Sequence, residues 1–335
     1  MATPAACAAY LYPWDVLDDP AAPQRLAGLG LTHACLAAVY HATRAVTPFH
    51  PRHRVVTAPA TAAYYATAPE RRHGRTPRPA PATWAGRADA FERAAAALAG
   101  AGIAVSAWVV LNHVDLATPP ADQVVNAYGD TYPWALCPAR DAVVEYGSAI
   151  AADVAALPGI SGAELEACGW FGVDHPGAHD KVPAAGYGFA QRYLLSLCFC
   201  AACRAAYDES GVQPQALRDK VRTALDTGTG APVATEEEEI AWLLGADLAA
   251  AVGQMRQRVA SRYRTAVTAP LRRAGTPVLL HANPRPHRSA AFTGAAPDTR
   301  AGTVDGLVLN CWADQQALAA TRSAGLPRYA SLLAV

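Results

Sequence analysis

Short apolar runs alternate with alanine-rich amphipathic segments along nearly the whole chain, and this alternation constrains the fold more than any other property of the sequence. The runs fall at 5–13, 32–41, 103–113, 160–168, 277–284, 306–312 and 328–335, and helix-like stretches at 88–99, 141–156, 215–225 and 236–274 lie between them. Strand followed by helix followed by strand predicts a parallel sheet with helical crossovers. With 335 residues, of which 52% are hydrophobic, there is material for one large core. A (β/α) barrel of roughly 250 residues plus insertions fits that length better than two separate domains. The expectation is α/β, a (β/α)8 TIM-barrel-like fold occupying 1–335 as one domain. Seven runs supply seven strands, and the last run meets the end of the sequence, so the expected barrel lacks its eighth strand or is truncated before it.

Two insertions interrupt the pattern. The first, at about 44–83, is rich in His, Arg, Pro and Tyr, and 53–57 with 62–66 are expected to form a small hairpin. The second, at about 171–203, carries Asp174, His175, His179 and Asp180, whose spacing would suit a second metal site. In a barrel both insertions follow strand C-termini, the face on which active sites are built. The run Glu236–Glu239 opens a helix, where acids suit the positive end of the dipole.

Charge excludes some functions. Lys plus Arg and Asp plus Glu are equal at 28 each, a balance that gives no support to nucleic-acid binding. No run reaches the roughly 18 apolar residues of a membrane span, and the first residues lack a basic segment or a leader-like apolar run. The expectation is a cytoplasmic protein with no nucleic-acid or membrane partner, for which homo-oligomerisation stays open. In that compartment the eight cysteines read as thiols and metal ligands rather than disulfides. Cys7, Cys35 and Cys311 fall in apolar strands and are expected in the core.

Four of the remaining five cysteines form a set. Cys198-Phe199-Cys200-Ala201-Ala202-Cys203 supplies three thiols within one turn of chain, and Cys137 in Trp134-Ala-Leu-Cys-Pro138 supplies a fourth. Tetrahedral Zn2+ takes four such ligands, and close spacing lowers the loop-closure cost of bringing them together. Cys137, Cys198, Cys200 and Cys203 are therefore expected to hold a structural zinc.

Chemistry is expected at the strand ends. Several of the expected strands finish on polar or aromatic groups: Tyr12, Trp14 and Asp15; Tyr40, His41 and Arg44; Asn112 and His113; Glu166 and Trp170; His281 and Asn283; Asn310, Trp312 and Asp314. Converging at one end of a barrel, they would line a cleft in which sugar rings stack on aromatic faces and hydroxyls take directional hydrogen bonds. In Pro158-Gly-Ile-Ser-Gly-Ala-Glu164-Leu-Glu166, the two acids alternate and so share one strand face. Glu166, nearer the strand end, is the expected general acid of glycoside hydrolysis, with Glu164 about 6.5 Å deeper holding it. Glu164 alternatively pairs with a buried Arg or His inside the barrel. For the second carboxylate the candidates are Asp314 and Asp15. Of the arginines, Arg52, Arg54, Arg71, Arg72, Arg75 and Arg78 would add positive potential over the cleft and favour acidic sugars.

The segment at about 128–207 resembles the zinc-carrying β-galactosidases of glycoside hydrolase family 42. The resemblance is carried by a loop cysteine followed by proline and a helix, Cys137-Pro-Ala-Arg-Asp-Ala-Val-Val-Glu-Tyr146, and by the Cys-x-Cys-x-x-Cys cluster Cys198, Cys200 and Cys203 after Glu166. It implies a (β/α)8 barrel, retaining glycoside hydrolysis and one zinc bound by all four cysteines. The run Gly159-Ile-Ser-Gly-Ala-Glu164-Leu-Glu166 also looks like the fourth strand of chitinase-type barrels, which implies an acid assisting a substrate acetamide. A third reading is a carbohydrate-binding barrel with a structural zinc and no catalysis. The motifs of serine-hydrolase elbows, P-loops, His-Glu-x-x-His metalloproteases and dinucleotide-binding turns are missing.

Overall fold

The computed structural model describes residues 7–66, 79–82, 84, 86–116, 120–174, 181, 186–227, 233, 235–294, 303–312 and 326–332. Its strands are β1 (Ala8–Leu11), β2 (His33–Tyr40), β3 (Thr43–Val46), β4 (Val55–Ala58), β5 (Ala62–Ala63), β6 (Ala80–Pro81), β7 (Ala104–Val110), β8 (Gln123–Val125), β9 (Thr131–Leu136), β10 (Gly162–Glu166), β11 (Val278–Asn283), β12 (Thr293–Gly294), β13 (Gly306–Asn310) and β14 (Arg328–Ser331). The helices are α1 (Ala22–Gly28), α2 (Ala90–Gly100), α3 (Asp141–Ala155), α4 (Phe189–Leu195), α5 (Ala201–Asp208), α6 (Pro214–Thr227), α7 (Glu236–Leu244) and α8 (Ala246–Arg273).

Each of the seven apolar runs contains a strand, and these seven pair in parallel in the order β1, β2, β7, β10, β11, β13, β14. Chain order and sheet order coincide, as right-handed crossovers in a (β/α) barrel require. Among the described residues no strand joins β14 back to β1. β2 carries Leu36 to Val39 fully buried, and β10 is buried at every position. Such strands are covered on both faces, which explains why they read as continuous apolar runs rather than alternating ones.

The helices follow the amphipathic segments with two differences. The single helix expected over 236–274 is two, α7 and α8, because Gly245 sits between them at φ +89. That left-handed conformation is open to glycine and strained for other residues. Thr235 and Glu238 form a reciprocal capping box at the start of α7, while Glu236 is held by Arg285 and Arg288 at 2.9 and 2.8 Å. Its acids thus serve a tertiary contact as well as the dipole. α3 packs on α8, and Gly147 permits the approach: a Cβ there would lie 2.5 Å from the Tyr263 hydroxyl and 2.8 Å from Val267.

In the first insertion the expected hairpin is replaced by another. β4 pairs antiparallel with β3, from Thr43↔Ala58 to Val46↔Val55, and β5 pairs instead with the end of β2 through Val39↔Ala63 and Tyr40↔Ala62. The register change follows from burial: Ala62 and Ala63 are covered by the sheet, whereas Val55 is exposed. Cys7 is also a correction, being exposed, while Cys35 and Cys311 lie in the core as expected.

Candidate active site and cysteine centre

The two glutamates of β10 project into the sheet interior and meet different surroundings. Glu164 is 2% exposed and accepts three hydrogen bonds. His281 Nε2 on β11 lies 2.6 Å from its Oε1, the Tyr10 hydroxyl of β1 bonds to the same oxygen, and Cys35 Sγ of β2 reaches Oε2 at 3.0 Å. Burial acts to raise the Glu164 carboxyl, but the bonds and charge from His281 and the bonds from Cys35 and Tyr10 outweigh it and hold it below the usual carboxylate range. Tyr10 moves the opposite way: burial, then the Glu164 charge, push its phenol far above its ordinary value. Tyr10 therefore stays a donor and Glu164 an acceptor. His281 is the buried partner that the alternative reading of Glu164 required.

Glu166 lies nearer the strand end and is less enclosed. Trp108 Nε1–H of β7 donates to its Oε2 at 2.8 Å, and no described residue bonds to Oε1. His281 Nδ1 faces the same Oε2 at 3.6 Å and makes no hydrogen bond among the described residues. Nε2 is engaged with Glu164, so Nδ1 is the nitrogen turned toward Glu166. The imidazole is flat against Phe292, with centroids 4.5 Å apart at 13°. Directly after Glu166, Ala167 adopts φ +50, and its N–H bonds Ala291 O at 2.8 Å. A left-handed alanine costs of order 1 kcal/mol or more and persists only where surrounding bonds impose it. Here it turns the chain sharply at the carboxylate.

Aromatic rings form a wall beside Glu166. Tyr12 stacks on Trp14 (4.4 Å, 9°) and meets Tyr40 edge-on at 5.0 Å, and Tyr40 in turn meets Trp108 at 4.5 Å. The ladder continues from Tyr40 to His41 at 4.2 Å, His41 to His113 at 4.1 Å and His113 to Phe171 at 4.5 Å. Burial pushes the Tyr12 phenol up to about 12. Asp15 accepts the Tyr12 backbone N–H at 2.8 Å, and burial raises its carboxyl despite that bond.

The expected site residues thus divide. Tyr12, Trp14, Tyr40, His41, His113, Glu164, Glu166 and His281 are brought together. Asn112 is buried and spent on both sides, its Nδ2 on Gly169 O at 2.7 Å and its Oδ1 on the Tyr263 hydroxyl at 2.7 Å. Trp170 is turned onto α8, where its Nε1 bonds Arg256 O at 2.9 Å and the Arg256 guanidinium lies 4.4 Å over its ring. Arg44 is exposed on β3. Asn283 Oδ1 caps Arg285 N–H at 3.0 Å, and Trp312 is 55% exposed with its Nε1 on Ser331 Oγ. Asp314, His175, His179, Asp180, Arg71, Arg72, Arg75 and Arg78 lie outside the described residues; Asp174 pairs with Arg192 at 3.5 Å. Sequence reasoning missed Tyr10, Cys35 and Trp108 as carboxylate partners. Their register is the signal that sequence lacks: Tyr10 is opposite Cys35, and Trp108 opposite Glu164.

The four cysteines form a second buried cluster. Their sulfur atoms all lie within 4.8 Å of one another, with Cys137 Sγ 3.7 Å from Cys200 Sγ and 3.4 Å from Cys203 Sγ. Four sulfurs at 2.3 Å from a tetrahedral ion stand about 3.8 Å apart. Soft thiolates in a closed tetrad suit zinc. Cys200 caps the N-terminus of α5, and hydrogen bonds from Cys137, Cys198 and Cys203 push its thiol far down. Burial pushes Cys137 up, so the tetrad can become four thiolates only with a cation to offset the charge. The Val125 N–H donates to Cys198 Sγ at 3.4 Å and the Phe199 N–H to Val125 O at 2.7 Å. The cluster therefore clips the β8–β9 hairpin to the start of α5.

No protein-family model matches the chain, and no curated protein matches it. Among solved structures it is similar to the catalytic domain of β-amylase from Paenibacillus polymyxa, with 12% identity over 98% of this chain and 86% of that one and a TM-score of 0.56. The PgaB (BpsB) glycoside hydrolase domain from Bordetella bronchiseptica matches at 14% identity over 94% of this chain and 80% of that one, with a TM-score of 0.46. An α-L-fucosidase isoenzyme 2 from Paenibacillus thiaminolyticus matches at 11% identity over 98% of this chain and 46% of that one, with a TM-score of 0.42. The β-amylase likeness shows the fold: a TIM-barrel-like α/β architecture. Among the described residues no helix is long and apolar enough to cross a membrane.

Proposed function

We propose that the protein is a glycoside hydrolase-like enzyme acting on a carbohydrate, with Glu166 as general acid/base. The reading is carried by the asymmetry of the two glutamates. Glu164 is saturated by three donors and kept ionised, whereas Glu166 has one oxygen that no described residue bonds and stands beside an aromatic wall. Two carboxyl groups in environments that separate their roles are what acid catalysis of glycoside cleavage uses.

Glu166 protonates the departing glycosidic oxygen, and the Trp108 indole N–H holds the carboxyl. The aromatic wall of Tyr12, Trp14 and Tyr40 carries the sugar ring. Because Glu164 is fully engaged, it acts as a positioning residue rather than as nucleophile. The second group is then a carboxylate outside β10, Asp15 or Asp314, or the substrate's own acetamide as in the chitinase-type reading. The four cysteines would hold a structural zinc through Cys137, Cys198, Cys200 and Cys203. That closed tetrad has no open position for chemistry, and it supports the family-42 resemblance through the cysteine spacing.

The test is turnover of a panel of aryl glycosides, neutral, acidic and N-acetylated, by wild type and Glu166→Gln. Hydrolysis of at least one member by wild type, abolished in Glu166→Gln at unchanged fold, is expected. Sugar binding without turnover would replace this reading by the carbohydrate-binding barrel. Preference for N-acetylated substrates would favour substrate assistance, and preference for uronic glycosides would support the contribution of the insertion arginines.

A further inference from the structure

Apart from the cysteines, one cluster of ligating side chains is gathered among the described residues: His41, His113 and Asp115, whose donor atoms all lie within 4.8 Å of one another. His41 follows the end of β2, and His113 and Asp115 follow β7, so neighbouring parallel strands deliver the set to one side of the sheet end. We propose that these three residues bind a divalent first-row transition-metal ion, at a site separate from the cysteine tetrad.

The surroundings hold the donors as metal sites do. His41 Nδ1 lies 2.8 Å from Ala42 O. A carbonyl can only accept, so Nδ1 carries the proton and Nε2 presents its lone pair. Ligating histidines are oriented by such a bond from the other ring nitrogen. Asp115 is fixed by three bonds. Its Oδ2 accepts the Ala42 N–H at 2.8 Å, its N–H donates to Thr61 Oγ1 at 2.6 Å, and its carbonyl accepts Thr61 N–H at 3.1 Å. The His113 ring is sandwiched between His41 and Phe171 at 4.1 and 4.5 Å, and its backbone bridges Ala135 of β9. The backbone of Ala42 thus orients one ligand with its carbonyl and anchors another with its N–H.

The donor set selects the ion. Two imidazoles and one carboxylate suit Zn2+, Fe2+, Co2+, Ni2+ or Cu2+ rather than Mg2+ or Ca2+, which prefer all-oxygen shells. Ligands at 2.0–2.1 Å around a tetrahedral ion stand about 3.4 Å apart, a contraction of up to about 1.4 Å from the 4.8 Å within which these donors lie. Three protein ligands leave at least one position for water or a substrate oxygen. The site adjoins the aromatic wall, since Tyr40 lies against both His41 and Trp108.

Cobalt(II) binding to the protein as purified tests this without any activity assay. Bound cobalt would be counted after gel filtration and its absorption recorded, because thiolate-bound cobalt shows an intense near-ultraviolet charge-transfer band and a nitrogen and oxygen site does not. Wild type should bind one equivalent more than either His41→Gln or Asp115→Asn, with more than about a 100-fold loss of affinity in each variant. The wild-type increment should lack the thiolate band. His53→Gln, in the neighbouring insertion, should match wild type, and circular dichroism together with unchanged metal at the cysteines should show that the variants remain folded. Equal cobalt in wild type and both variants, or an increment carrying the thiolate band, would overturn the proposal. The count is independent of glycoside turnover, so it stands or falls apart from the hydrolase reading.

Discussion

The cysteine tetrad and the glutamate pair are both buried polar clusters, yet they are built in opposite ways. The tetrad is closed: all four sulfurs are enclosed, bond to one another and join a hairpin to a helix. The glutamate pair is half closed, with Glu164 satisfied on both oxygens and Glu166 held by a single indole N–H. A closed site stores stability, and a half-closed one leaves a group whose bonding can change when a substrate arrives. The two regions therefore predict different responses to substitution.

The largest effect should come from opening the closed site. Cys200→Ser should abolish the proposed zinc binding and destabilise the fold by more than about 4 kcal/mol, the range in which loss of a structural metal falls. Elemental analysis and thermal melting would measure it, and an unchanged melting temperature would remove the bracing role. At the half-closed site the response should be functional. Glu166→Gln should lower turnover on a cleaved glycoside by about 10³-fold, roughly 4 kcal/mol of barrier, while melting as wild type does. If the variant instead unfolded, Glu166 would belong with the structural residues and the contrast would fail.

Glu164→Gln tests the boundary between the two kinds of site. Replacing the acceptor should leave a donor of His281, Tyr10 or Cys35 poorly satisfied, at a cost of about 1–3 kcal/mol. Its pH dependence has a definite sign. The Glu164 pKa is lower folded than unfolded, so its contribution is present above the unfolded carboxylate value, near 4.3, and is lost as pH falls through the folded one. Wild type should lose stability on that acid limb, and Glu164→Gln should flatten it; parallel acid melts of the two proteins would refute the assignment. The smallest effect is expected from Trp108→Phe, which removes the indole bond to Glu166 and keeps an aromatic ring. Turnover should fall by about tenfold with substrate affinity unchanged. A drop in substrate affinity alone would make Trp108 part of the sugar platform instead.

Legibility from sequence followed the range of the interactions involved. All seven parallel strands were readable because each is an apolar run long enough to be covered on both faces. The hairpin of the first insertion was misread because Val55 to Ala58 could pair on either side, and burial of Ala62 and Ala63 against β2 decided the matter. The break at Gly245 was hidden inside an otherwise helical pattern, where one glycine costs only about 1 kcal/mol. Asn112 and Trp170 show the same limit at the site. Both stand at strand ends, and both are drawn onto α8 by partners more than eighty residues away.

The sequence alone determined the strand and helix alternation, the shared face of Glu164 and Glu166, and the four-thiol set, since each depends on residue type and short-range spacing. Only the tertiary structure decided which glutamate is locked and which is open. That outcome depends on Tyr10, Cys35, Trp108 and His281 arriving from four other strands in one register, and parallel strands obtain their register through crossovers of many residues, which no local pattern encodes.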